Sequence, residues 1–232
     1  MSKRQTRPLI VGFLLLVVAA ALYAHALAKV TWQDRTPLHQ AVLTGRTQVA
    51  AALVAKGADV NARDETTFGW TPLHAAAFAG YADIAELLLA NGANVDAASD
   101  AGLGWTPLHE AAFAGHTGLV QLLLASGADM DARDSRGRTP LQAATWVRDV
   151  EVMHLLLAEG ADANARDSNG RTALHAAALA GSAPAVELLL TAGADPAIPD
   201  TSGLTPLDYA EAQGNTAAAE ALRQHRVEDP SQ

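Results

Sequence analysis

Residues 71–80 read Thr-Pro-Leu-His-Ala-Ala-Ala-Phe-Ala-Gly, and this stretch decides the fold of the chain. Thr71 is a typical N-cap because its hydroxyl accepts a hydrogen bond from an amide that the helix leaves unpaired. Pro72 suits the first helical position, where its missing N–H costs nothing. Small side chains then continue the helix and allow close stacking, and Gly80 ends it. The stretch therefore predicts one short helix.

A second helix follows within the same segment. Ile84, Leu87 and Leu88 have the spacing that places side chains on one face of a helix. Gly92 is predicted to end this helix in a left-handed conformation. The polar residues 96–104 form a turn-rich finger that leads to the next threonine. Together the residues predict a helix-turn-helix-finger unit.

This unit is written six times along the chain. Its first motif, Thr-Pro-Leu or Thr-Ala-Leu, recurs in steps of 35, 35, 33, 33 and 33 residues at Thr36, Thr71, Thr106, Thr139, Thr172 and Thr205. Its second motif, Gly-Ala-Asp or Gly-Ala-Asn, begins at Gly57, Gly92, Gly127, Gly160 and Gly193. A fixed period in this range predicts stacked repeats, in which neighbours shelter each other's apolar surfaces.

The six segments TPLHQA, TPLHAA, TPLHEA, TPLQAA, TALHAA and TPLDYA lie in register with six helix pairs, and from about Arg35 to Arg223 the chain resembles the ankyrin family. The resemblance implies an all-α ankyrin-repeat solenoid with β-turn or hairpin fingers, covering residues 36–225. It implies that fingers and first helices line a concave face, which in that family usually binds proteins. It also implies that hydrogen bonds support the turns through His39, His74, His109 and His175.

Two departures from the pattern carry expectations of their own. The last unit has Asp208 in place of the histidine and a polar surface that suits a terminal cap, followed by a polar tail at 226–232. Arg148 stands where the other units have the glycine that ends the first helix. This leaves the local backbone of the fourth unit open at this point.

The N-terminal residues have the composition of an export signal. Lys3, Arg4 and Arg7 precede an uncharged apolar run at 9–22, and small-x-small cleavage patterns follow at 24–26 and 26–28. This order predicts a signal peptide over residues 1–28, a short linker at 29–35 and a repeat domain exported to the periplasm of a Gram-negative bacterium. The alternative is an uncleaved inner-membrane anchor, since residues 9–28 are also long enough to span a bilayer. The repeats face the periplasm in both cases.

Residues that vary between the units indicate where a partner binds. Six of the nine aromatic residues beyond the N-terminal segment fall at the end of the first helix, just before the threonine, or at a finger tip. In the family these positions face the groove, and such clustering favours a hot spot for a protein partner. The predicted partner-binding residues are Phe68, Trp70, Phe78, Leu103, Trp105, Phe113, Arg138, Trp146 and Arg171.

A structural interpretation of the same residues remains open beside this one. Trp70 can pack on Phe78, and Trp105 on Phe113 at the same spacing of eight residues. Arg138 over Trp146 would be the cation–π version of the pair. The two interpretations are compatible, because a braced patch can still bind.

The sequence argues against other functions. A net charge of -9 repels phosphate backbones, so we expect no nucleic-acid partner. His109 and His116 are seven residues apart, whereas a zinc-protease helix needs two histidines four apart. We expect no catalytic residue, no metal and no cofactor. The prediction is a monomeric, non-catalytic protein-binding module; the alternatives are a scaffold that contacts the membrane through its N-terminal segment and an enzyme or enzyme inhibitor.

Overall fold

The computed structural model describes residues 35–65, 68–100 and 102–228, and these residues are all-α, with no β-strand among them. The helices of the described residues come in six pairs, which confirms the predicted fold class. Their bounds are α1 Pro37–Leu43, α2 Thr47–Ala55, α3 Pro72–Ala79, α4 Ala82–Ala90, α5 Pro107–Ala114, α6 Thr117–Ala125, α7 Pro140–Val147, α8 Val150–Ala158, α9 Ala173–Ala180, α10 Ala183–Thr191, α11 Pro206–Gln213 and α12 Thr216–Glu228.

The chain divides into two compact units, and each is described by itself. The first unit covers residues 31–162 and holds α1 to α8; the second holds α9 to α12. In the first unit the odd-numbered helices pack on one another in order, as do the even-numbered ones. In the second unit α9 packs on α11 and α10 on α12. Each unit therefore has two helix layers, called here the first layer (odd-numbered helices) and the second layer (even-numbered helices).

The core lies between the two layers. Leu73 and Leu108, the leucines of the Thr-Pro-Leu motif, are 0% exposed, as are Ile84 and Leu88 of the second layer. Ala75, Ala76 and Ala111 of the first layer are also 0% exposed, and their small side chains let neighbouring helices approach closely. Of the helix face predicted from the spacing, Ile84 and Leu88 are thus buried, whereas Leu87 is half-buried.

At the start of four of the six first-layer helices, a buried histidine forms a hydrogen bond to the next repeat. The Thr71 N–H donates to Nδ1 of His74 over 3.2 Å, so Nδ1 is the unprotonated nitrogen and Nε2 carries the proton. Nε2 then donates to the Trp105 carbonyl over 2.9 Å. Nε2 of His39 makes the same hydrogen bond to the Trp70 carbonyl. Nε2 of His109 makes it to the Arg138 carbonyl, and Nε2 of His175 makes it to the Leu204 carbonyl. The predicted role of these histidines in hydrogen bonding is confirmed.

Burial lowers the pKa of all four histidines, because the charged imidazolium would lose its hydration inside the protein. The pKa of His74 and that of His109 fall to about 4. All four side chains are therefore neutral at pH 7.

The fingers are closed by one polar residue at their base. The Asp64 N–H donates to the Trp70 carbonyl over 2.8 Å, and the Asp64 carboxylate accepts from the Trp70 N–H over 2.9 Å. Ser99 does the same for Trp105. Backbone hydrogen bonds also join neighbouring fingers, as from the Asp100 N–H to the Phe68 carbonyl at 2.8 Å. The finger backbone is therefore held whatever side chain precedes the threonine.

Arg148 adopts the conformation of the glycine that it replaces. Its φ of 60° and ψ of 30° are left-handed, and it is the single non-glycine residue with positive φ in the described ranges. Gly80 and Gly115 end their helices with φ of 79° and 75°. The backbone of the fourth pair thus follows the others, and the arginine bears the strain.

Replacing this arginine by glycine is expected to stabilise the protein. A left-handed non-glycine residue costs about 1 kcal/mol or more, part of which is offset by the larger unfolded-state entropy of glycine. We expect Arg148→Gly to raise Tm by about 2 °C in thermal unfolding followed by circular dichroism. Gly115→Ala is the control and should lower Tm, because a Cβ there would lie 2.6 Å from a carboxylate oxygen of Asp149. A lower Tm for Arg148→Gly would contradict the strain.

The last helix pair uses an acid where the others use histidine. The Thr205 N–H and hydroxyl both donate to Oδ2 of Asp208, over 2.8 and 2.7 Å. A carboxylate accepts but cannot donate, so Asp208 does not make the onward link that histidine makes elsewhere. The helix α12 continues to Glu228, three residues into the segment predicted to be a tail.

Within the part of the chain that the structure describes, no helix combines the length and apolar character needed to cross a membrane. The predicted signal or anchor at residues 1–28 and most of the predicted linker lie outside the described residues.

Candidate partner-binding surface

The structure buries four of the nine predicted binding residues. Phe68 is 6% exposed, Trp70 1%, Trp105 4% and Arg138 6%. The other five are half-buried: Phe78, Leu103, Phe113, Trp146 and Arg171. Eight of the nine lie in the first unit, and Arg171 lies in the second.

Trp70 backs Phe78 from the interior. Their ring centroids are 5.4 Å apart, and Phe68 at the finger tip also packs on Trp70, with the ring centroids 5.8 Å apart. The Trp70 carbonyl is held by the Asp64 N–H and by Nε2 of His39, each over 2.8 Å. These bonds fix the Trp70 backbone, and the buried ring presents its apolar surface to Phe78.

Trp105 repeats this arrangement one unit further on. Its ring is 5.2 Å from Phe113 in an edge-to-face geometry. Its Nε1 donates to Oδ2 of Asp134 over 3.0 Å. The indole is thus braced by an apolar contact on one side and a polar contact on the other.

Arg138 takes the place of the tryptophan in the fourth pair. Its guanidinium carbon lies 4.0 Å from the centroid of the Trp146 ring and 6.0 Å from that of Trp105. Its Nε and one terminal nitrogen contact Oδ2 of Asp134 at 2.6 and 2.5 Å. Burial alone would raise the pKa of Asp134, but the hydrogen bonds from Arg138 outweigh burial and lower it. The ion pair is therefore charged at pH 7 and holds the guanidinium against Trp146.

In the second unit, Arg171 has a corresponding environment. Its guanidinium carbon is 5.5 Å from the Tyr209 ring centroid, and its Nε is 4.0 Å from Oδ2 of Asp200. The Tyr209 hydroxyl donates to the same oxygen over 2.7 Å. Burial, followed by this hydrogen bond, raises the pKa of Tyr209.

The predicted bracing pairs are all present, so the structural interpretation of these residues is confirmed as a set of contacts. It leaves three half-exposed aromatic side chains on successive helices of the first layer: Phe78, Phe113 and Trp146. We call these three residues the aromatic row. Its role in partner binding stays a prediction.

Sequence reasoning missed the residues that hold this surface from behind. Asp64, Ser99 and Asp134 precede the variable position by six, six and four residues, and each bonds the backbone N–H of that position. This recurring Asp or Ser at the finger base was a usable signal. It also missed Val147, which follows Trp146 and is 40% exposed.

The two histidines weighed as zinc ligands serve the backbone instead. Nε2 of His109 bonds the Arg138 carbonyl at 3.0 Å, and Nε2 of His116 bonds the Phe78 carbonyl at 3.1 Å. Among the residues that the structure describes, no group of three or more histidine or acidic side chains is placed to hold a metal ion.

Comparison with known proteins agrees with the geometry. A family model described as ankyrin repeats in three copies matches residues 12–99, 97–167 and 147–231. Together these matches span most of the chain. No curated protein matches the chain significantly.

Proposed function

This chain belongs to the ankyrin-repeat family, and on that premise we propose that it is a non-catalytic module that holds another protein against the aromatic row. Repeat arrays of this kind present extended surfaces for protein binding and are typically not enzymes. Which protein is bound does not follow from the family, because the same fold serves unrelated partners.

The packing of Phe78 and Phe113 against buried tryptophan rings carries the proposal. Phe78 and Phe113 each lean on an indole that is at most 4% exposed. A partner therefore meets rings that are already ordered, so little side-chain entropy is lost on binding. Rigid, partly exposed aromatic side chains are the residues that dominate protein interfaces.

The test removes the exposed rings and keeps the tryptophans. We expect Phe78→Ser with Phe113→Ser to abolish the co-purification of a specific protein from cells, because both apolar contacts are lost. Leu122→Ser is the matched control, since Leu122 is also half-buried but lies on α6 in the second layer. Quantitative mass spectrometry of the captured proteins is the measurement.

Both variants must remain folded, and a cooperative thermal transition with a measurable Tm establishes this for each of them. The proposal is contradicted when the double variant captures the same proteins, in the same amounts, as the unchanged chain. It is also contradicted when the Leu122→Ser control loses them equally.

We further propose that the module works outside the cytoplasm, in the periplasm. The basic residues, apolar run and small-x-small patterns of residues 1–28 support this. The mass of the purified chain tests cleavage: a chain lacking residues 1–28 supports a signal peptide, and a full-length chain that needs detergent supports the membrane anchor. A full-length chain in the soluble cytoplasmic fraction would contradict both.

A further inference from the structure

Val147 and Arg148 break the repeat pattern together. The corresponding positions read Ala79-Gly80 and Ala114-Gly115 in the two preceding units. Here a larger apolar side chain is 40% exposed, and the next residue is an exposed arginine in a left-handed conformation. Glycine would fit this turn without strain, so the arginine costs stability where it stands. Backbone strain at a residue with an exposed charge is typical of functional sites.

The two residues lie at the edge of an open groove between the ends of α5 and α7, which we call the α5–α7 groove. Its volume is about 370 Å³, and it is lined by Phe113, Ala114, Gly115, Val147, Arg148, Asp149 and Val150. One member of the aromatic row, Phe113, therefore belongs to it. The groove extends the proposed binding surface toward the helix ends.

The two charged residues of the groove, Asp149 and Arg148, differ in their contacts within the protein. Asp149 caps α8, since its Oδ1 accepts from the Val152 N–H over 3.0 Å. The Arg148 side chain makes no hydrogen bond or ion pair with any residue in the described ranges. The cation is the charge that is available to a ligand, and it sits on a chain whose net charge is -9.

We propose that the α5–α7 groove receives a segment of the partner protein in which a large apolar side chain stands next to a carboxylate. The apolar side chain lies against Phe113 and Val147, and the carboxylate pairs with Arg148. Charge complementarity selects this chemistry, because the acidic surface elsewhere repels a carboxylate and the arginine attracts it. The inference rests on the proposed protein-binding function and names the chemistry of the partner.

A displayed library of random twelve-residue peptides tests the proposed chemistry directly. Peptides are selected on the full chain, and their affinities are measured for a variant that restores the repeat pattern, Val147→Ala with Arg148→Gly. We expect the enriched peptides to share a large apolar residue beside Asp or Glu, and to bind the variant at least tenfold more weakly. Arg136→Gln is the control: it removes an exposed arginine of a finger, and we expect unchanged affinity.

A thermodynamic cycle isolates the ion pair. Changing the acidic residue of a selected peptide to its amide should weaken binding to the unchanged chain about fivefold, and should not weaken binding to Arg148→Gly. Because Arg148→Gly is expected to raise Tm, its loss of affinity cannot be assigned to unfolding.

Three results overturn the inference: no enriched peptide, enriched peptides that lack the apolar-acidic pair, or equal affinity for the restored variant. Peptides that bind the restored variant normally but not the variant Phe78→Ser with Phe113→Ser would contradict the proposed role of the groove and agree with the proposed function. Peptides that bind both variants as tightly as the unchanged chain would contradict the role of the groove and the proposed function alike.

Discussion

Between pH 7 and pH 4 the free energy of unfolding of this chain is expected to fall by about 6 kcal/mol, because its buried histidines take up protons less readily in the folded state than in the unfolded state. The pKa of His74 and that of His109 are lowered to about 4 from 6.5. One pKa unit corresponds to about 1.4 kcal/mol, so each histidine accounts for about 3 kcal/mol at pH 4. The combined loss from the two histidines is comparable to the total free energy of unfolding of a typical domain.

The direction follows from which state binds the proton first. Above pH 6.5 the imidazoles are neutral in both states, and the folded state keeps its full stability. As the pH falls through 6.5, the unfolded chain takes up protons that the folded chain refuses, and the loss levels off below about pH 4. Asp134 and Asp200 have pKa values below 3.8, so their contribution is lost only at lower pH and does not explain a loss in this window.

Urea unfolding at several pH values between 7 and 4 measures the effect, and the chain supplies its own control. In the fourth helix pair Gln142 occupies the histidine position, and its Oε1 accepts from the Thr139 N–H over 3.0 Å. His74→Gln with His109→Gln should therefore keep the cap and flatten the pH dependence substantially. A slope unchanged by the double variant would show that other groups cause the acid sensitivity.

Replacing Asp134 by alanine is expected to cost about 3–5 kcal/mol, the typical cost of removing one partner of a buried ion pair. The substitution leaves the Arg138 guanidinium, with a side chain only 7% exposed, without its carboxylate. It also removes the acceptor for Trp105 Nε1 and for two finger amides, those of Arg136 and Arg138. Chemical unfolding of the purified variant measures the loss.

An exposed pair in the same unit provides the comparison. Asp100 lies 3.2 Å from Arg63, but their side chains are 61% and 41% exposed. Solvent screens such a pair, so Asp100→Ala should cost less than about 1 kcal/mol. Equal losses for the two alanine variants would mean that burial does not set the strength of these contacts.

The helix starts and ends were predictable because local chemistry determines them. Thr71 and Pro72 suffice to begin a helix, and the glycines that follow have the positive φ expected of them. The contacts of Trp70 with Phe78 and of Trp105 with Phe113 were also predictable, since their spacing recurs in consecutive repeats.

The degree of burial was not predictable from the sequence. Trp105 and Phe113 are both aromatic and both vary between units, yet the first is 4% exposed and the second is half-buried. The difference depends on the finger, which folds over the residue that precedes the threonine and leaves the end of the helix open. The hydrogen bonds from each histidine to the next repeat were not predictable either, because they depend on how neighbouring repeats are aligned, and the sequence of one repeat does not specify this.

Site-specific photocrosslinking tests the central claim most directly, because it reports contact at a chosen residue in the intact cell. A photoreactive phenylalanine analogue is placed at Phe113 in the aromatic row, and separately at Leu122 on the opposite layer. We predict a discrete covalent adduct with one other protein from position 113 and none from position 122. Absence of any adduct from position 113, or the same adduct from both positions, would contradict a partner held against the aromatic row.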